Sequence, residues 1–160
     1  MAATIYSVEY YTTTVEDRPG QGCEFLKMLA SEDVNLIAFN AFPVGGNRTQ
    51  LIIYPLNTTW LADVARRRRV RLAGPHHAFM VHGDDELGAL TNIHQKLCDA
   101  KINIASSSGI TDGRGGYRYI MHVNPEVFER ACAVLGVDQQ LPSWHDLHLR
   151  IYRRFDEARA

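Results

Sequence analysis

Two short stretches of the chain carry residue types that could hold a small charged molecule. Asp17, Gly20 and Asn35 mark the first. Asp85, Gly88 and Asn103 mark the second, each 68 positions further on. The first backbone N–H groups of a helix have no partner inside it and present a partial positive charge. An anion settles there readily, and a glycine beside it lets the anion approach the backbone closely. An asparagine amide both donates and accepts, so it could hold the other end of the same molecule. The candidate binding loops are therefore Asp17, Arg18, Gly20 and Gln21 in the first stretch and Asp85, Gly88, Ala89 and Leu90 in the second. Asn35 and Asn103 are their complements. The same residues have plainer uses. The glycines suit tight turns, and the asparagines suit a left-handed helix exit.

These stretches belong to a longer repeat. Leu29 faces Leu97, Gly45 faces Gly113, Ile52 faces Ile120 and Ala65 faces Ala133, and similar residues fill in between, as Tyr11 with Phe79 and Trp60 with Phe128. No gap is needed from Tyr11 to Ala133. A shared register over that length predicts two copies of one structural unit.

The elements that would position the candidate loops follow from local pattern. Residues 4–14, rich in β-branched and aromatic side chains, read as a strand. Pro19 suits the first position of a helix, with Asp17 or Arg18 before it. Over residues 20–32 the spacing of Cys23, Leu26, Leu29 and Ala30 predicts one buried helical face. A strand over 36–44, a hairpin turn at Gly45-Gly46-Asn47 and a strand over 50–54 come next. A helix over 59–68 has Asn57, Thr58 and Thr59 as candidate caps, and 70–72 is a short fourth strand. Residues 73–75 link the copies. The second copy reads as a strand over 76–82 and a helix over 85–100 with Leu90, Ile93, Leu97 and Cys98 inward. A strand over 102–109, a glycine-rich turn, a strand over 117–123 and a helix over 125–135 follow. The order β-α-β-β-α-β is ferredoxin-like, an α+β fold with antiparallel sheets. From residue 141 a tail without counterpart opens on a capping box, Ser143 with Asp146, and continues as a helical stripe. Alternation at Leu147, Leu149 and Ile151 leaves a strand open there. The expected division is 1–73, 74–140 and a helical extension over 141–160.

Composition narrows the partners. At 160 residues with 46% apolar content the chain can build a core. A unit of ~65 residues buries only a thin one, so the halves are expected to pack on each other or on a second copy. Lys and Arg number 17 against 18 Asp and Glu, a net charge of −1. That balance gives no reason to expect nucleic acid or an anionic membrane. Cys23, Cys98 and Cys132 are odd in number and lack paired spacing, as expected of reduced thiols in a cytoplasmic protein. No secretory leader and no membrane span is expected.

Asp17-Arg18-Pro19-Gly20, an amphipathic helix and then Val34-Asn35-Leu36 resemble the ACT domain family. So do Gly88-Ala89-Leu90, a helix and Ile102-Asn103-Ile104. The resemblance covers roughly residues 4–136. It implies a small regulatory module that binds an amino acid and is not an enzyme, with no cofactor. It implies a metabolic enzyme as a possible partner and assembly as a homodimer. In such proteins the loop of one unit and the asparagine-bearing strand of its neighbour meet across an interface. Gly88-Ala89-Leu90 is similar to the ligand loop in the regulatory part of prephenate dehydratases, where the first copy has Gln21-Gly22. Members controlled by phenylalanine carry Glu-Ser-Arg-Pro on the strand after the asparagine. Here that strand reads Ser106-Ser107-Ser108-Gly109, so the resemblance does not extend to phenylalanine. The alternatives are a small enzyme or ligand-handling protein on a duplicated ferredoxin-like fold, and a subunit that serves assembly alone.

Other signals have structural explanations. Arg66 to Arg69 fall at a helix C-terminus, where cations offset the dipole. His76 and His82 share a strand face but lie ~20 Å apart, too far to ligate one ion, and no metal site is expected. Ser106 to Ser108 do not form a nucleophile elbow. Gly113 to Gly116 do not open a helix, so they make a poor phosphate cradle.

Overall fold

The computed structural model describes residues 3–137; the helix expected from Ser143 onward lies outside them. The elements are β1 (Thr4–Glu16), α1 (Gln21–Ser31), β2 (Leu36–Gly45), β3 (Arg48–Pro55), α2 (Thr58–Arg68) and β4 (Ala73–Asp84). Then come α3 (Thr91–Asp99), β5 (Ile104–Thr111), β6 (Gly116–Val123), a 3-10 turn (Pro125–Val127) and α4 (Phe128–Leu135).

The chain divides into two compact units. The first is Glu9–His76; the second joins residues 3–8 to residues 77–137. In the first the hydrogen-bonded strands run β2-β3-β1-β4, and in the second β1-β4-β6-β5. Each is the strand order of a β-α-β-β-α-β ferredoxin-like unit, and the β1–β3, β2–β3, β4–β6 and β5–β6 pairs are antiparallel. Strands β1 and β4 serve both units. At 13 and 12 residues they are about twice an ordinary strand of ~5–6 residues.

This arrangement corrects the expected short strand at 70–72 and the link at 73–75. Residues 70–72 are not strand, and Ala73, Gly74 and Pro75 begin β4. Gly-Pro is a turn signal in isolation, but here it is held in an extended strand. It also supplies what the second copy lacked. That copy has no fourth strand of its own after α4, and Thr4–Val8 takes the place. The compact units divide at 8/9 and 76/77.

The repeat is visible in the pairing itself. Tyr11 pairs with Ile53 and Phe79 with Met121, and an irregularity at Leu36/Ala38 recurs at Ile104/Ser106. Asp17 N–H donates to Asn47 O (2.9 Å) and Asp85 N–H to Gly115 O (2.8 Å). The register then slips by one residue. After Tyr54 come Pro55 and Leu56 before the cap Asn57, but after His122 only Val123 precedes the cap Asn124. The helix exits agree, with Val70 N–H on Ala65 O and Val137 N–H on Cys132 O. Trp60 and Ala65 are thus not the counterparts of Phe128 and Ala133, because the second loop is one residue shorter.

In each unit both helices cover one sheet face. Tyr11, Leu51 and Ile53 meet Phe25 and Leu29 of α1 and Leu61 and Val64 of α2. Phe79, Val81, Tyr119 and Met121 meet Ile93 and Leu97 of α3 and Cys132 and Leu135 of α4. The helix phase differs from expectation. Cys23, Leu26, Ala30 and Cys98 are exposed; Phe25 and Leu29, with Ile93 and Leu97, face the core. An apolar sector wider than one seam leaves two faces to choose between, and the bulkier i, i+4 pair takes the core. The helix starts also differ. Gly20 caps α1, so Pro19 stands outside it, and Asp85 to Leu90 form turns before α3 begins at Thr91.

The arginine run finishes the first unit. Arg67 and Arg68 both donate to the Glu32 carboxylate, while Trp60 Nε1 donates to Glu32 O at 2.8 Å. The Arg67 guanidinium also lies 5.1 Å over the Trp60 ring. The end of α1 is thereby fastened to the end of α2. Hydrogen bonds from Arg68 foremost, then from Arg67, hold the Glu32 carboxyl below its usual range.

Glu32→Gln is expected to lower the melting temperature by a few degrees at neutral pH and low salt, and by less at high salt. Because the folded carboxyl titrates low, its contribution is complete above the ordinary glutamate range. It is lost as pH falls through the folded value. Melting curves of wild type and variant should therefore converge on acidification.

Candidate functional site

Gly20 and Gly88 occupy equivalent left-handed positions, with φ of 94° and 79°. A side chain at either would be strained whatever lay beside it, so the backbone alone calls for glycine. Around Gly20 the polar groups bond to one another. Asp17 Oδ1 accepts from Thr49 Oγ1 at 3.0 Å, Arg18 Nε meets Glu16 at 2.8 Å, and Gln21 Nε2 donates to Glu24 at 3.1 Å. Around Gly88, Ala89 N–H bonds to Glu86 O and Thr91 N–H to Gly88 O. Leu87 between them is fully exposed.

The two asparagines differ. Asn35 Oδ1 accepts from Leu36 N–H at 2.9 Å. Asn103 is exposed and makes no side-chain hydrogen bond among the described residues. Neither holds the left-handed position of the helix exit. Asp33 and Lys101 do, at φ 54° and 58°. The plain role suggested for the asparagines thus falls to other residues.

The second unit contains a cavity of ≈ 220 Å³ beside its loop, and Ala89 lines it. Leu90 instead lines a shallow groove on α3 with His94 and Cys98; Asn103 lines neither. Two tyrosines of β6 matter here, and the sequence reading missed both. Tyr117 pairs across the sheet with Gly83, and Tyr119 with Gly109. A Cβ on Gly83 would come within 3.0 Å of the Tyr117 ring, and one on Gly109 within 3.2 Å of Tyr119. Each ring lies across the bare backbone of its glycine. The Tyr119 hydroxyl meets His94 Nε2 at 2.8 Å. The Tyr117 hydroxyl is buried, lines the cavity and has no hydrogen-bond partner among the described residues. The glycine opposite each tyrosine is the signal that could have found them.

No base beside Ser106 is predictable from the sequence. The structure places His122 Nδ1 3.0 Å from its hydroxyl, and burial pushes that imidazole's pKa down. The two are paired across β5 and β6, so hairpin register explains the contact. Ser106 lies in a strand and not on the strained turn that exposes a nucleophile. Among the described residues three more histidines rest against aromatic rings, His76 on Tyr10, His77 on Phe128 and His82 on Tyr6. Asp112 accepts from the N–H groups of Arg114 and Gly116, which close the β5–β6 turn and lower its pKa. Among the described residues no group of three metal-binding side chains converges, and no helix is long and apolar enough to cross a membrane.

No protein-family model matches the sequence, and no curated protein does. Solved structures do match the fold. Protein BT0572 from Bacteroides thetaiotaomicron is 14% identical, with a TM-score of 0.68 over 84% of this chain and 88% of that one. The regulatory subunit of aspartate kinase from Thermus thermophilus, in its ligand-free form, is 11% identical, with a TM-score of 0.60 over 85% and 96%. A structure of aspartokinase alpha and beta subunits is 15% identical, with a TM-score of 0.54 over 84% and 95%. The chain is a tandem of two ferredoxin-like units, the fold that the resemblance of its two loop–helix–asparagine stretches implies.

Substitution separates backbone from binding roles at this loop. Gly88→Ala is expected to destabilise the protein by about 1–2 kcal/mol, through its left-handed backbone. Asn103→Ala, at an exposed position, should stay within about 0.5 kcal/mol of wild type. Urea denaturation of both variants checks the pair.

Proposed function

We propose that this chain is a regulatory module that binds a small amino acid in its second unit and passes the effect to a partner such as a metabolic enzyme. The ligand carboxylate would lie at the backbone N–H groups near Gly88 to Leu90, and Asn103, from the same or a neighbouring copy, would hold its polar end. The observation that carries this reading is the difference between the asparagines. The first copy's amide is bonded to its own strand, whereas the second copy's is left for a partner outside the described residues. Proteins of like fold include regulatory subunits of aspartate kinase, which supports regulation as the role.

A ligand-handling enzyme remains the second reading, because Asp84, Glu86, Lys96 and Tyr117 gather around one cavity. Burial raises the pKa of the Tyr117 phenol. At neutral pH it is therefore a hydrogen-bond donor, suited to holding a ligand more than to removing a proton.

Assembly belongs to the same proposal. Strands β2 and β5 are edge strands of their units, with Phe42 and Val44 on one and Ile110 on the other exposed. Open apolar edges invite pairing with a second copy. Sedimentation should show a dimer at micromolar concentration, shifted toward monomer in Phe42→Lys and Ile110→Lys.

A melting screen with the twenty amino acids tests the binding. At least one should stabilise the wild type, and Asn103→Ala should weaken its binding by about 1–3 kcal/mol while leaving the unliganded melting temperature in place. Absence of any response would overturn the reading.

A further inference from the structure

The face of the second unit's sheet that carries no helix is unevenly covered. Side chains alternate along a strand, and Phe79, Val81, Tyr119 and Met121 face the helices. Ala78, Met80 and His82 of β4 therefore point the other way, with Arg118 and Ile120 of β6. The cross-strand pairs Met80–Ile120 and His82–Arg118 agree. On β1, Ile5 packs on the helix side, so Tyr6 and Val8 share the opposite face. There Val8 and Ala78 are 0% exposed, Met80 4% and Tyr6 6%. Ile120 is only half-buried. Ile110, which pairs with Arg118 on the edge strand β5, is 73% exposed.

A bare sheet face leaves its side chains to water, as at Ile110. Full burial at β1 and β4 therefore calls for another layer of chain over those two strands, thinning out toward β6 and β5. Helices α3 and α4 do not supply it, because they lie on the other face. The chain that continues from this unit is residues 138–160, which follow Val137, itself buried in the unit's core. Their sequence carries Trp144, Leu147, His148, Ile151, Tyr152 and Phe155 at helical spacing. Asp146, Arg150, Arg153, Arg154 and Asp156 stand between them. Layers of a fold pack ~10 Å apart, so passing from the helix layer to the far side of the sheet takes ~20 Å. The chain from Val137 to Trp144 can span up to ~23 Å. At helical rise residues 144–155 would cover ~18 Å, which matches the ~17–20 Å of an ordinary strand.

We infer that residues 138–160 dock on this face of their own chain, with Trp144, Leu147 and Ile151 over Tyr6, Val8, Ala78 and Met80. The segment completes the second unit as a third layer, with the sheet between it and the helices. Leu147 and Ile151 fall on the apolar side in both patterns open for this stretch, the helical stripe and the alternating strand, so they anchor it in either. Displacing the segment would bare four neighbouring side chains as one apolar patch. The docking does not depend on ligand binding at the Gly88 loop.

Methionine oxidation reads the cover residue by residue. The full chain is treated with dilute hydrogen peroxide, and each methionine is followed by mass spectrometry. Met80 lies under the proposed segment; Met121, 0% exposed in the helix-side core, is the internal control. In the wild type both should resist oxidation. In the variant carrying Leu147→Asp and Ile151→Asp, Met80 should oxidise at least about tenfold faster while Met121 stays protected. Unchanged protection of Met80 in that variant would overturn the inference, because something else then covers the face. Protection of wild-type Met80 that falls on dilution would overturn it too, since the cover would then come from a second copy. Where Met121 oxidises along with Met80, the emission of Trp144, taken as the difference between the wild type and Trp144→Phe, decides. A blue-shifted difference spectrum resistant to acrylamide supports docking. One matching free tryptophan in water rules it out.

Discussion

Only one of the two units is a single run of chain, because β1 and β4 each serve both. A β-α-β-β-α-β unit needs its fourth strand beside its first. The first unit obtains that strand from the opening residues of β4, and the second from the opening residues of β1. Much else follows from this demand. It sets the unusual length of the two strands. It holds Ala73, Gly74 and Pro75 extended where a loop was expected. It also brings Ala3 and Ile5 to the wall of a cavity whose other residues lie more than seventy positions away.

Duplication on such a frame frees one copy to change. The first unit closes its loop with polar contacts among its own residues and fastens its helices through Glu32, Arg67 and Arg68. In the second unit the position of Glu32 is Ala100, and α4 packs with Val127, Phe128 and Val134 against the core instead. Helix closure there depends on apolar contact, and polar groups are left at Asn103 and Tyr117. One copy closes its own hydrogen bonding, and the other is the one proposed to take a ligand.

The fold was legible because the repeat constrains pattern at many positions at once. Strand and helix order, the Asn57 cap, the Gly46-Asn47 hairpin and the helical role of the arginine run all follow from local chemistry. Helix phase did not, although the repeat held the answer. Leu26 faces His94 and Cys23 faces Thr91, so that stripe is not shared, whereas Phe25 with Ile93 and Leu29 with Leu97 are apolar in both copies. The exchanged strands were hidden because a long strand announces its length but not which neighbour each half takes. The candidate loops were proposed from glycine and asparagine. Tyr117 was not, because an aromatic residue in a strand looks like core until its hydroxyl is seen to lack a partner.

The shared strands also bear on the order in which the chain can fold during synthesis. Residues 9–76 are continuous and hold every strand and helix of their unit, so they can close on themselves while the rest is still being made. The other unit requires residues 3–8, which precede that run, yet it cannot form until α4 is complete. Its opening strand must therefore wait through more than a hundred residues of elongation. Loop closure over that distance is slow. The unit proposed to bind ligand is thus the late-forming one, and a ligand that stabilises it would act on the step that completes the molecule.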